Sequence, residues 1–165
     1  MKPVGETDLI GERGVRKSDL RIGLIGAIDE ASSALSMAKG FCSPDSQVLL
    51  DGCQKDLSSM MGILAALPRT PMDSLENCFS SELANLEETI RVVEAATVYP
   101  GEFIRPGQTP ATGTLDLARA IVRRVEREAV AAFDALQIPD RSMLQYLNRL
   151  STICYLLILA ELPAT

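Results

Sequence analysis

Histidine is missing from this chain of 165 residues. That absence removes Ser-His-Asp and Cys-His nucleophilic catalysis and every histidine-based metal site. Proton transfer would fall to carboxylates, lysine or tyrosine, whose pKa values would have to move far to act near neutrality. A chemistry that asks no strong base of the protein fits better. Tryptophan is also absent and aromatics are few, 4%, so Ala, Leu, Ile and Val do most of the packing. The four cysteines, Cys42, Cys53, Cys78 and Cys154, form no C-x-x-C pair and no zinc-like spacing; they read as free thiols in a reducing cytoplasm. The opening "MKPVGETDLIGERG" has no apolar core, so no signal peptide is expected. The longest apolar run, "ICYLLILA" over 153–160, is too short to span a bilayer. There is no long basic run, and acidic residues exceed basic ones by 22 to 16, a net charge of −6. That argues against nucleic acid as a partner and leaves open a local pocket for one phosphate ligand.

What is present is a core. Apolar residues make up 47% of the chain, enough for one domain over 1–165. Residues 1–17, rich in Gly and alternating charge, read as a loop. From Ser18 the period turns helical through Leu20, Leu24, Ile28, Ala31 and Leu35, and Gly40 closes the helix. A second helix is expected over about 45–66, through Val48, Leu49, Leu57, Met60, Met61 and Leu64. A third runs from about Asp73 through Leu75, Leu83, Leu86, Ile90 and Val93. The stretch "TVYPGEFIRPGQTPATG" (97–113), with three Pro and three Gly, is a long loop of the kind that often carries function. The fourth helix starts near Thr114 and the fifth spans about 140–162. No β-alternation persists, so the class is all-α, a five-helix bundle.

The fourth helix carries an apolar stripe (Leu115, Ala118, Val122, Val125, Ala129) beside a charged one, Arg119, Arg123, Glu126 and Arg127, at helical spacing. On an arbitrary helix such a stripe is more often a solvated face. Two features favour a ligand instead. Arginine grips phosphate oxygens through a rigid fork, and the long loop delivers its end to this helix's N-terminus, where backbone N–H groups favour anions. On the fifth helix Asn148, Thr152 and Tyr155 share a face, which suits either an interhelical or subunit contact or a polar wall toward a ligand. On the first helix one of Asp29 and Glu30 should face inward; Asp29 against an arginine of the fourth helix is the natural pairing. The N-terminal "GETDLIGERGVRK" contains no G-x-x-x-x-G-K-[ST] motif. Its glycines, Thr7 and Lys17 could still wrap a polyphosphate, while a disordered tail is the plainer alternative.

Together "GETDLIGERGVRK", "GAIDEASSAL", "FIRPGQ" with "LARAIVRRVERE", and "YLNRLS" resemble, in order and nearly end to end, the PduO-type ATP:cob(I)alamin adenosyltransferases. The resemblance implies a trimeric five-helix bundle with active sites between subunits. It implies transfer of the 5′-deoxyadenosyl group of ATP, accompanied by Mg²⁺, to cob(I)alamin, releasing triphosphate. A flavin-type reductase and an adenosylcobalamin-dependent enzyme are implied partners. Carried over residue by residue, Arg123, Glu126 and Asn148 are the catalytic and ATP-binding set, with Thr7 and Lys17 on the ATP loop. Asp29 and Arg119 form an interface salt bridge on the corrinoid side, and Phe103 crowds out cobalt's lower axial ligand. No protein metal ligands are implied. The chain departs from the family pattern at the N-terminus, where "MKPV" precedes Gly5 and a Gly-Asp pair is missing. Pro106-Gly107-Gln108 stands for Pro-Gly-Gly, Asp116 for a histidine, Thr152 for an aspartate and Glu161 for an arginine. These departures motivate an alternative: a homologue that binds or delivers a corrinoid without turning over ATP.

Overall fold

The computed structural model describes residues 3–67, 75–101 and 104–163. Its elements are β1 (Glu6–Leu9), β2 (Glu12–Arg16), α1 (Leu20–Lys39), α2 (Pro44–Ala66), α3 (Ser80–Ala96), α4 (Pro110–Leu136) and α5 (Ser142–Ala160). The five helices expected from periodicity are present. The fold is mostly helical as expected; the correction is confined to the segment read as a loop, part of which is a small antiparallel hairpin. Gly5, Gly11 and Gly14 lie at φ +88°, +82° and +69°, a region that glycine enters without a Cβ penalty. Gly11 lets Leu9 turn back onto Glu12, and the Asp8 carboxylate accepts a hydrogen bond from Gly14 N at 3.1 Å.

The hairpin is tied to α1 by Arg21. Its guanidinium donates to Glu12 Oε2 of β2 at 2.8 Å and to both carboxylate oxygens of Asp19, which also caps α1 through Arg21 N. The hydrogen bonds from Arg21 hold the Asp19 carboxyl below its ordinary range. Val15 is the hairpin's buried apolar residue.

α1, α2, α4 and α5 form the bundle, with α4 packed between α1 and α5, α2 against α1, and α3 laid along α5. The predicted stripe of α4 is the seam: Leu115, Ala118, Val122, Val125 and Ala129 are all fully buried. α5 is apolar around most of its circumference because α4 and α3 cover it on two sides. By length and composition it could cross a membrane, but most of its apolar surface is spent on the core. The aromatic centre is Phe79 edge-on to Tyr146, centroids 5.1 Å apart, with the Tyr146 hydroxyl donating to Asp56 Oδ2 at 2.8 Å.

Two boundaries shift. α3 begins at Ser80, not near Asp73, which lies outside the described residues; Leu75 is buried, but Asn77 at φ +56° breaks the helix before it starts. α4 begins earlier, at Pro110. Thr109 caps it by accepting from Thr112 N at 3.1 Å, while the buried Thr112 hydroxyl accepts from Thr109 N at 3.0 Å and from Gly107 N at 3.2 Å. The loop is thereby pinned to the helix. A Cβ on Gly113 would come 3.4 Å from Gly107 Cα. Gly107 takes φ +101° while Gln108 does not enter the positive-φ region, so the retained glycine meets the conformational demand and the glutamine adds no strain.

Candidate functional site

The α4–α5 seam opens outward as a polar face. Glu126 is half-buried and accepts a hydrogen bond from Asn148 Nδ2 at 2.8 Å, so the two predicted residues meet across the helices. Arg123, exposed one turn before Arg127, has no side-chain partner among the described residues. Arg127 does not compete for the same space, because its Nη1 folds back to the carbonyl oxygen of Arg123 at 2.9 Å. Thr152 and Tyr155 continue the polar line on α5, the first half-buried and the second exposed. A guanidinium without a counter-ion beside a bonded Glu–Asn pair can present two parallel N–H donors to an anion. The N-terminus of α4 itself is closed by the Thr109 cap.

The other predicted residues are not on this seam. Thr7 sits half-buried in β1 opposite Val15, and Lys17 is exposed, its backbone N–H donating to Gly5 O at 2.8 Å. Lys17, Ser18 and Asp19 border a cavity of about 420 Å³ floored by Gly23, Leu24, Ala132 and Ala135. That cavity lies on the α1 edge of α4, away from the α5 edge that carries Glu126. No contact among the described residues joins Thr7 or Lys17 to Arg123, Glu126 or Asn148.

The expected pairing of an α1 carboxylate with an α4 arginine forms within the chain, but through Glu30 and not Asp29. Asp29 and Glu30 are both exposed, and it is Glu30 that reaches α4, with Arg124 Nη2 at 2.6 Å from its Oε2. Adjacent helical residues point about 100° apart, and it is the second that faces the α1–α4 seam. Arg119 is held within its own helix: Nε and Nη2 both donate to Asp116 Oδ1, at 2.9 and 2.7 Å. Within one chain Asp29 and Arg119 therefore do not meet. Phe103 lies outside the described residues.

Two connections escaped the sequence reading. Glu161 accepts from Ser43 N, Ser43 Oγ and Ser46 Oγ at 2.9, 2.7 and 2.6 Å, capping α2 from the end of α5. Asp140 accepts from the Ser142 hydroxyl and from Cys78 Sγ, joining the starts of α3 and α5. The Ser-x-x-Ser spacing before α2 was the available signal for the first, but its partner lies more than a hundred residues away. The cysteines are unsuited to nucleophilic work: burial pushes Cys42 up to about 11 and Cys53 and Cys78 up to about 12. Among the described residues no three His, Cys, Asp or Glu side chains converge to hold a metal.

A helical bundle that carries, on one helix seam, an arginine with no counter-ion among the described residues offers a surface of the kind that can receive an anion. The chain belongs to the cobalamin adenosyltransferase family, whose model matches residues 2–161. It is 31% identical over 160 residues to the corrinoid adenosyltransferase PduO of Citrobacter freundii, covering 95% of this chain and 47% of that protein. It is likewise 31% identical over 164 residues to the corrinoid adenosyltransferase of Mycobacterium leprae, covering 93% and 84%. The chain thus spans about half the length of the PduO relatives and most of the mycobacterial one. Among solved structures it resembles variants of a PduO-type ATP:corrinoid adenosyltransferase from Lactobacillus reuteri. An arginine-to-lysine variant complexed with ATP superposes with TM-score 0.77 at 29% identity, covering 94% of this chain and 88% of that one. A phenylalanine-to-histidine variant complexed with cobalamin and ATP gives 0.76, 29%, 94% and 84%.

Proposed function

We propose that this chain transfers the 5′-deoxyadenosyl group of ATP to cob(I)alamin. The carrying observation is Arg123, exposed and without a counter-ion among the described residues, beside the Glu126–Asn148 pair. The arginine and phenylalanine substituted in the Lactobacillus reuteri variants lie twenty positions apart in that protein, the same separation as Phe103 and Arg123 here. In the reaction the Co(I) lone pair attacks C5′ of ATP, the cobalt–carbon bond forms, the C5′–O bond breaks, and triphosphate leaves with the bonding electrons. No proton moves. The step therefore needs no protein base, which suits a chain without histidine. The protein's part is to bind and aim the two substrates. Arg123 holds phosphate oxygens, Glu126 fixes Asn148, and Asn148 offers its amide to the nucleoside. Mg²⁺ accompanies ATP as part of the substrate.

The same reading includes a cytoplasmic homotrimer. Thr7 and Lys17 stand at one edge of α4, and Arg123 and Asn148 at the other. The two halves make one site only if a second copy brings its hairpin to the α4–α5 seam. Asp29 of one copy, exposed and without a partner among the described residues, would then reach Arg119 of another in exchange for Asp116. Phe103 would crowd cobalt's lower axial position, and a flavin-type reductase would supply the electron. The test is the absorbance change of Co–C bond formation with ATP, Mg²⁺ and reduced cobalamin, alongside calorimetric titration with ATP. The missing Gly-Asp of the N-terminal loop favours the second reading, a corrinoid carrier. In that case cobalamin binds, ATP does not, and no product forms.

A further inference from the structure

Thr152 is the member of the α5 polar line that no contact within the chain employs. It follows Asn148 by one helical turn and is half-buried on the same side of the helix. Its hydroxyl makes no hydrogen bond among the described residues. Helical threonines often turn the hydroxyl back onto the carbonyl four residues earlier, as Thr89 does to Asn85 O at 2.9 Å and Thr114 to Pro110 O at 2.6 Å. For Thr152 that carbonyl belongs to Asn148, and the Ser151 hydroxyl already donates to it at 2.8 Å. Nor is the Thr152 hydroxyl sealed in the core: the one buried side-chain nitrogen or oxygen without a partner among the described residues is Gln54 Oε1. It stays open at the seam with its donor free.

The register of the seam sets what this hydroxyl stands beside. α4 and α5 are joined by the short stretch 137–141 and pack along their length, so they run antiparallel. With Glu126 bonded to Asn148, one turn back along α4 reaches Arg123 and one turn on along α5 reaches Thr152. Cation and hydroxyl therefore stand level on one open face, next to the amide of Asn148. The carboxylates on this side of α4 are engaged, Glu126 by Asn148 and Asp116 by Arg119. Thr152 occupies the position where the family pattern has an aspartate, and a carboxylate at this level would offer Arg123 the counter-ion that it lacks among the described residues. A neutral donor there leaves the guanidinium open.

We propose that Thr152 is a further substrate-contacting residue: its hydroxyl donates to a phosphate oxygen held by Arg123, and its neutrality keeps this part of the face open to polyphosphate. The proposal rests on the polyphosphate-binding part of the adenosyl-transfer reading. A hydroxyl donating to an ionised oxygen makes a charge-assisted bond, and it approaches from α5 a group that Arg123 holds from α4. No bond forms or breaks at Thr152; its part is to bind and to aim.

The probes are inorganic tripolyphosphate and ATP, titrated calorimetrically into the full chain without divalent cation. Thr152→Val, which keeps the shape and removes the hydroxyl, should weaken both about three- to tenfold. Thr152→Ser restores the donor and should stay within about twofold of the parent. Thr152→Asp should weaken both by more than Thr152→Val, because it pairs with Arg123 and repels phosphate. Thermal melts of the valine and serine variants should match the parent, since the hydroxyl has no partner in the chain to lose. In turnover Thr152→Val should raise KM for ATP by the same factor and leave kcat within about twofold. Equal tripolyphosphate binding by the parent and Thr152→Val, failure of Thr152→Ser to restore it, or Thr152→Asp binding no worse than Thr152→Val would each overturn the proposal. Phosphate binding with this dependence but no adenosylcobalamin from ATP and cob(I)alamin would refute adenosyl transfer and uphold the Thr152 contact. Turnover indifferent to all three substitutions would do the reverse, and a parent that binds neither probe would refute both.

Discussion

Replacing Arg123 by alanine separates a ligand-binding arginine from a solvated one. The side chain is exposed and makes no hydrogen bond or ion pair among the described residues. Its removal strands no buried partner, so stability should stay within about 0.5 kcal/mol of the parent. The Arg127 contact is to the backbone carbonyl of residue 123, which survives the change. Against ATP the loss should be larger. A guanidinium fork gives two charge-assisted hydrogen bonds, each worth about 1.5–3 kcal/mol when dry. Solvent at this open seam reduces the pair to about 1.5–3 kcal/mol in all, or about a 10- to 150-fold weaker Kd. Isothermal titration with ATP and a thermal melt on the same sample measure both. Arg127→Ala, on the same face but folded back, should change Kd by less than about threefold. An Arg123→Ala protein that binds ATP within about twofold of the parent, or that loses its fold, would refute the reasoning.

Three further outcomes are expected. If sites form between copies, Arg123→Ala and Lys17→Ala proteins should each be weak alone, and mixing them after reversible dissociation should restore some turnover; no recovery in verified hybrids would argue for a site within one chain. Thr112→Val removes the acceptor for two backbone N–H groups and should cost about 1–2 kcal/mol, read by urea denaturation; a change under about 0.3 kcal/mol would mean the loop is not pinned there. Burial pushes the Glu161 carboxyl up, but the hydrogen bonds from Ser46 and Ser43 pull it down by more, leaving it below its ordinary range. A depressed folded-state pKa adds stability above the unfolded value, near 4.3, that is lost as pH falls through the folded one. The stability difference between the parent and Glu161→Gln should therefore be full at about pH 6 and shrink below about pH 4, and a difference that grows on acidification would contradict it.

Strong periodicity made the helices legible. Leu24, Ile28, Ala31 and Leu35 on α1, and the five-residue stripe of α4, are buried as their spacing requires. The hairpin was not legible, because its strands of four and five residues carry no apolar alternation and are held by Gly turns and Arg21, a side chain outside them. α3 began late because Leu75 keeps helical step with Leu83 while Asn77 between them leaves the helical region. At the site, Glu126 and Asn148 are linked only through the family resemblance, not by their spacing, and they meet across α4 and α5. Asp29 and Glu30 could not be told apart, since one residue of phase decides which carboxylate finds Arg124. Asp116 capturing Arg119 is a local i, i+3 pair that was readable from spacing.

The central claim is that this face positions ATP for attack by Co(I). Its most direct measurement is the formation of adenosylcobalamin from ATP, Mg²⁺ and chemically reduced cob(I)alamin, followed by absorbance and product chromatography, with the parent and Arg123→Ala side by side. The account requires protein-dependent product and one triphosphate per cobalamin, with both strongly reduced in the variant. No product above the protein-free reaction at high protein concentration, or equal product from the two proteins, would contradict it.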